Sequence, residues 1–250
     1  MPLGLPRIAI RLPGKMNPGW IDLFNGLSRV RVLFLAHDLL EERANSIMGL
    51  LVFLSIENAE AEIFLFINSP GGLLILGAGI YYIMNSVPPE INTICIGIAA
   101  SAASYILSGG EKTKRLAFPH ARVMLHQPAC DLAYDIQAEE FYKDVQEIIE
   151  LREQITHTYV EQTGQPRWLI SDMLERDVFM SATEAQTLGI VDTVADKVSF
   201  QRIQQKIKEY LDENVKKEKD KKNKKQTKRK KNEIKVNGYK VNGNGGFLFD

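Results

Sequence analysis

A serine hydroxyl attacks a carbonyl efficiently only when a base takes its proton and donors receive the charge that builds on oxygen, and this sequence holds a candidate for each part. Ser101 lies in ICIGIAASAASYIL (94–107), an apolar strand expected to turn through Gly97 into a helix with the serine at its first turn. The unpaired N–H groups of a helix start would then lie beside the hydroxyl. Ala99, Ala100, Ala102 and Ala103 are small enough to let another backbone approach. The logic is that of a nucleophile elbow, although the G-x-S-x-G pattern is absent. A second turn, NSPGG (68–72), can expose N–H groups because Gly71 and Gly72 carry no Cβ. His126 closes the apolar run ARVMLHQP (121–128), and an imidazole that titrates near neutrality suits a general base. Asp177 lies in a non-helical stretch upstream of Ser181, where it can orient a histidine. Each residue also has a plainer reading: tight helix packing for Ser101, an ordinary strand-to-helix turn for Gly72, a packed strand end for His126, and an ion pair with Arg176 or another arginine for Asp177.

Bringing such residues together requires a sheet whose turns share one edge. The run EIFLFI (62–67) has no polar face and reads as a strand buried on both sides; the NSPGG turn and a helix from Leu73 to Met84 follow it. The segment from Glu90 through Ser101 repeats the plan, which predicts a mostly parallel sheet with right-handed crossovers and both turns at the strand C-termini. Before these units the pattern predicts an amphipathic segment over Trp20–Leu27, a strand over Val30–Leu35 and a helix over Glu42–Ile56. After them it predicts a long helix over Asp135–Thr163 stopped by Gly164, a short helix near Arg167–Leu174, and a helix capped by Ser181 or Thr183 with Glu184 in its first turn.

Other chemistries find less support. Gly110-Glu111-Lys112-Thr113 lacks the spacing of a phosphate-binding loop, so no nucleotide site is expected. His37 follows a strand with no cluster of metal-ligating residues around it, and no metal or cofactor is expected. His120, beside Pro119, and His157, on a helix face, have weaker settings than His126. Cys95 and Cys130 do not suggest a disulfide framework, which fits a reducing compartment, and no apolar run has the length of a membrane span.

The formal charge of zero conceals two halves of opposite sign. Residues 1–197 carry 15 Lys/Arg against 24 Asp/Glu, and residues 198–250 carry 16 against 7. This predicts an acidic folded body, 1–197, and a basic, mostly disordered extension, 198–250, because the lysine run 216–231 contains no apolar residue. Phe200, Ile203, Ile207, Tyr210 and Leu211 have the spacing of a short amphipathic helix linking the two. Such a tail can meet anionic partners without specificity, or remain solvated.

Taken in order, INSPGG (67–72), AAS (99–101), KRLAFPHARVMLHQP (114–128), ERDVFMSATEA (175–185) and GIVD (189–192) resemble the proteolytic-subunit family of the ATP-dependent Clp protease. FPHARVM, RDVFMSATEA and the opening MPLGLP are most similar to the plastid-encoded plant form, which implies a location in the chloroplast stroma. The resemblance covers about residues 1–197. It implies an α/β fold of the Clp/crotonase type, built of repeated β-β-α units with a mostly parallel sheet and a long protruding helix. It also implies a serine endopeptidase in which Ser101 is nucleophile, His126 base and then acid, and Asp177 the orienting acid, with backbone N–H donors at Gly72 and Ala102. The implied partners are other proteolytic subunits in two stacked seven-membered rings, a separate ATP-dependent unfoldase, and unfolded polypeptide substrates. Phe64 and Phe66 correspond to the region where the family receives hydrophobic unfoldase loops, so one side of their strand is expected to be an open cleft.

The sequence departs from the common pattern at Ile98, Ala102, Ala103, Leu125, Tyr82 and 129–131. A backbone donor at 102 survives any side chain there except proline. Two other functions remain in view: a ring-building subunit of weak activity, against which Ser101, His126 and Asp177 all count, and an acyl-CoA enzyme of crotonase type, which would not need those three together.

Overall fold

The structure, a computed structural model, describes residues 6–10, 19–129 and 137–213. Its first elements are an antiparallel pair, β1 (Arg7–Ile10) and β2 (Gly19–Asp22), and a short helix α1 (Leu23–Ser28). The amphipathic segment expected over Trp20–Leu27 is thus divided. Trp20 pairs with Ala9 in the ladder, and helical backbone begins only after the extended Asp22.

Then come β3 (Val32–Ala36), α2 (Glu41–Glu57), β4 (Ile63–Ser69), α3 (Leu74–Ser86), β5 (Ile91–Ala100), α4 (Ala102–Ser108) and β6 (Arg115–Ala117). β4 and β5 form the middle of a seven-stranded sheet because neither has a polar side to present; every residue from Ile63 to Ile67 is buried. The path β3-β4-β5-β6 is parallel and is continued by β9 (Thr193–Val194). Near its end β5 changes neighbour, from β6 at Thr93–Cys95 to β7 (Arg122–Leu125) at Ile98–Ala100. β7 in turn pairs antiparallel with β8 (Val178–Ser181). A mostly parallel α/β fold is what the repeated strand-turn-helix pattern predicts. Gly97, expected at the turn, lies inside β5, and the chain turns four residues later at Ser101. A Cβ there would come within 2.4 Å of the Asn68 side-chain oxygen, so Asn68 would have to shift from its bond to the Ile98 N–H.

Helices α2, α3 and α4 cover one face of the sheet with Ala44, Ile47, Leu51, Ile80 and Ile106, joined by Ile155 and Tyr159 of α5 (Ala138–Thr163). α5 is 26 residues long, and its buried side chains begin only at Ile155; Phe141, Tyr142 and Ile149 in its first half are exposed. Gly164 ends it in the left-handed conformation, as expected. α6 (Arg167–Leu174) follows, and α7 (Ala182–Thr187) starts with Ser181 and Glu184 bonded reciprocally as a capping box.

The opposite face carries Val32, Phe64, Phe66, Ile94 and Leu116, and a last helix, α8, described over 197–213, lays Phe200, Ile203 and Ile207 on it. This is the amphipathic helix expected from its spacing. The lysine run 216–231, the glycine-rich end and Cys130 lie outside the described residues. Among the described residues no helix is long and apolar enough to cross a membrane.

Candidate active site

Ser101 is delivered by the end of β5. Its N–H bonds the Met124 carbonyl at 3.0 Å, which extends the β5–β7 pairing by one residue, and its backbone then takes φ 55°, ψ −127° before α4 begins. A positive φ is uncommon for a residue with a Cβ and marks stored strain. Three donors converge on its carbonyl and hold the turn: the N–H groups of Ser104 and Tyr105 and the Ser104 hydroxyl, the last at 2.7 Å. The hydroxyl of Ser101 lies 2.8 Å from Nε2 of His126.

His126 follows β7 directly, and β7 is parallel to the strand that ends in Ser101. The antiparallel register with β8 pairs Leu125 with Val178, so the next step places His126 against Asp177. His126 Nδ1 lies 3.4 Å from Asp177 Oδ1. A proton on Nδ1 facing the carboxylate leaves Nε2 as the acceptor for the serine proton. Asp177 is two-thirds exposed, so this pairing is screened by water and its contribution to stability falls at the small end of the range for surface ion pairs.

The NSPGG turn reaches the same place from β4. The Gly71 carbonyl accepts the Leu39 N–H at 2.8 Å, and Leu39 forms a bridge with Gly72. No peptide bond here is cis, so the Gly72 N–H points away from Leu39 on the other side of the peptide from that carbonyl. Ser69 Oγ accepts the Gly71 N–H at 3.1 Å and fixes the turn, while Asn68 Oδ1 accepts the Ile98 N–H at 3.1 Å and ties it to β5. Gly71 itself, at φ 97°, fits so closely that an added Cβ would lie 2.5 Å from the Ala100 oxygen and 2.8 Å from the Ser101 Cβ. The small residues around Ser101 do admit a second backbone.

Gly72, Ala102, Ser101 and His126 line one cavity of about 230 Å³, completed by Leu74, Tyr105, Ile155 and Tyr159. Its lining combines mostly apolar side chains with the Ser101–His126 pair and Gln127. Tyr159 is buried, and its hydroxyl lies 2.9 Å from Ser104 Oγ; burial pushes its phenol well above the ordinary range despite that bond, so it remains neutral. Burial likewise pushes the Tyr105 hydroxyl up to about 12, against a bond to Thr158. Tyr105, Ile155 and Tyr159 are residues that sequence reasoning placed on helices without assigning them to the site. For Ile155 and Tyr159 the one available signal was an apolar stripe on α5, which serves packing equally well.

The remaining candidates lie elsewhere. His37 is exposed at the end of β3, and His157 faces Glu161 on the surface of α5. Phe64 and Phe66, expected to open onto a cleft, are 4% and 8% exposed. That expectation is corrected: α8 covers them, and Phe66 stacks on Phe34 at 5.2 Å.

The family profile described as Clp protease matches residues 15–198. The chain is 54% identical over 197 residues to an ATP-dependent Clp protease proteolytic subunit of Acorus calamus, covering 79% of this chain and 97% of that one. It is 54% identical over 195 residues to the subunit of the same description from Vitis vinifera (78% and 99%), and 53% over 195 to that of Nicotiana tabacum (78% and 99%). With the strand-end serine, the paired histidine and the parallel sheet already in place, these matches show that the chain belongs to the Clp protease family.

Proposed function

We propose that this chain is a serine endopeptidase subunit of a Clp complex and that Ser101, His126 and Asp177 carry its chemistry. The observation that supports this most directly is the 2.8 Å contact between His126 Nε2 and Ser101 Oγ beside an apolar cavity. Ser101 Oγ bonds to the substrate carbonyl carbon as its proton passes to His126 Nε2. The oxygen that becomes anionic is received by the N–H groups of Gly72 and Ala102. Collapse breaks the C–N bond, and His126 returns the proton to the leaving amine. A water then gives a proton to His126 as its oxygen bonds to the acyl carbon, and His126 returns that proton to Ser101 Oγ as the acyl C–O bond breaks, releasing the acid product and the free serine. Asp177 holds the ring and balances the imidazolium charge in both halves.

The peptidase unit corresponds to residues 1–197, with 198–250 an extension whose first helix folds back onto it. The subunit assembles with other proteolytic subunits in two stacked seven-membered rings and receives unfolded chains from an ATP-dependent unfoldase. It works in the plastid stroma. Support for these points is the resemblance to the plastid-encoded form and the plant sources of the relatives.

A fluorophosphonate probe followed by peptide mapping tests the reading. Label on Ser101 of the assembled complex, lost in His126→Ala, is the expected result. Labelling that ignores His126, or that falls on another serine, overturns it.

A further inference from the structure

The face expected to receive a partner is already occupied, by the chain itself. Phe64 and Phe66 on β4, Val32 on β3 and Leu116 on β6 form a continuous apolar surface. α8 lies across it: Ile203 is buried, Ile207 and Phe200 pack beside it, and the Phe200 ring meets Phe118 edge-on at 5.7 Å. Two polar contacts fix the direction of the helix. Lys206 Nζ lies 2.8 Å from Glu62 Oε1, and Tyr210 stacks under the guanidinium of Arg31 at 5.7 Å.

The family match stops at residue 198, and 195 to 197 residues of this chain cover 97–99% of the relatives from Acorus calamus and Vitis vinifera. All but the first two residues of α8 therefore lie beyond the family match, while the aromatic strand beneath it lies within it. Its hold is of a kind that can be released. The Lys206 end of the ion pair is half exposed, Ile203 is the one buried residue among the described residues of the helix, and a helix in a folded protein owes most of its stability to packing, which α8 loses once undocked. Tethering compensates, since a segment attached next to its site acts at a high effective concentration.

We propose that α8 is a displaceable plug on the Phe64–Phe66 face, and that the apolar loop of an unfoldase must expel it to dock on this subunit. The inference rests on reading Phe64 and Phe66 as docking residues. A partner that binds only the open form sees its affinity lowered by the open fraction, so a plug seated nine-tenths of the time weakens docking about tenfold.

The experiment compares unfoldase binding to complexes reconstituted with the full chain, with a chain stopped after residue 198, and with the full chain carrying Ile203→Asp, which loosens the helix without removing it. Both altered chains should bind the unfoldase about tenfold more tightly, with cleavage of a short peptide unchanged. Hydrogen exchange across 199–211 should be slow in the complex alone and accelerate when unfoldase and ATP are added. Unchanged or weaker binding in both variants, or exchange that ignores the unfoldase, overturns the plug. Phe66→Ser in the chain stopped at 198 separates the two readings. If it weakens binding while truncation alone changes nothing, docking stands and the plug falls. If it has no effect, the face is not a docking site, and the plug falls with that reading.

Discussion

His126 and Asp177 are neighbours because they stand one step beyond the Leu125–Val178 pair at the open end of the β7–β8 ladder. That register brings together residues 51 positions apart with no direct link in sequence. It also leaves the aspartate on the surface, 3.4 Å from the ring.

Asp177→Asn should therefore lower peptide kcat/KM by less than Ser101→Ala. Loss of a triad member costs about 10⁴-fold in well-buried cases. For an exposed carboxylate at this distance the expected loss is roughly 10- to 100-fold, since water already shares the work of balancing the imidazolium. Because the three residues act as one unit, the double variant should be no worse than Ser101→Ala alone. Steady-state kinetics on a short peptide give all three values. A loss for Asp177→Asn as large as that of the serine variant would mean that the loop closes on His126 during turnover.

The parallel character of the sheet was legible in the sequence where a strand had no polar side, as in IFLFI and ICI, and the NSPGG turn from its glycines, whereas Gly97 marked no turn and the strand order was not legible. Ser101, His126 and Gly72 could be singled out from their places at element ends. Their convergence could not, because it depends on three pairings between distant segments: β5 with β7, β7 with β8, and Leu39 with Gly72. The burial of Phe64 and Phe66 was illegible for a different reason. A strand apolar on both sides is equally suited to a core and to an open docking face, and the choice was made by a helix more than 130 residues away.

Gly71→Ala should silence the site while leaving the subunit folded. The residue has φ 97°, and its added Cβ would press on the Ala100 carbonyl and the Ser101 Cβ, so the turn bearing the Gly72 N–H must move away from the nucleophile. Removing an oxyanion donor costs about 10²- to 10³-fold in kcat, and displacing the turn should do at least as much. The strain should cost about 1–3 kcal/mol of stability. Peptidase assays beside thermal unfolding separate the two effects. Near-parental kcat with a large fall in stability would show that the turn serves only packing.

Glu62 links three elements through Lys114, Lys206 and Asn92. Burial alone would raise its carboxyl, but the hydrogen bonds from Lys114, Lys206 and Asn92 outweigh it and bring the group down to about 2. A carboxylate depressed in the folded state contributes stability above its unfolded pKa and loses it as pH falls through the folded value. The contribution should thus be complete above about pH 5 and fade progressively toward pH 2. Glu62→Gln should lower stability by about 1–2 kcal/mol at neutral pH, allowing for partial solvent screening, with the difference from the parent shrinking as the pH falls. Denaturant melts at pH 7, 5, 4 and 3 measure this. A pH-independent difference would show that Glu62 acts through packing rather than charge.

The chain after Leu211 should be dispensable for folding and peptide cleavage. The apolar and aromatic side chains that pack α8 against the sheet precede that point: Phe200, Ile203 and Ile207, with Tyr210 against Arg31 and Lys206 on Glu62. From 216 to 231 the sequence carries eleven Lys/Arg, two acids and no apolar residue, so it has nothing with which to offset the entropy of becoming ordered. Ending the chain after Leu211 should leave the thermal midpoint within about 2 °C and kcat/KM within about twofold, as for surface changes remote from a core. Ending it after residue 198 removes Ile203 and its neighbours from the aromatic face and should cost about 1–2 kcal/mol, the docking energy of a helix seated about nine-tenths of the time. Any partner of the lysine run, including the acidic body of a neighbouring subunit, would be held by charge and released by salt. Calorimetry and peptide cleavage on assembled complexes across a salt series test this. Should the chain ending at Leu211 fail to assemble, or lose peptidase activity in moderate salt, the lysine-rich segment is a structural part of the complex and not an appendage.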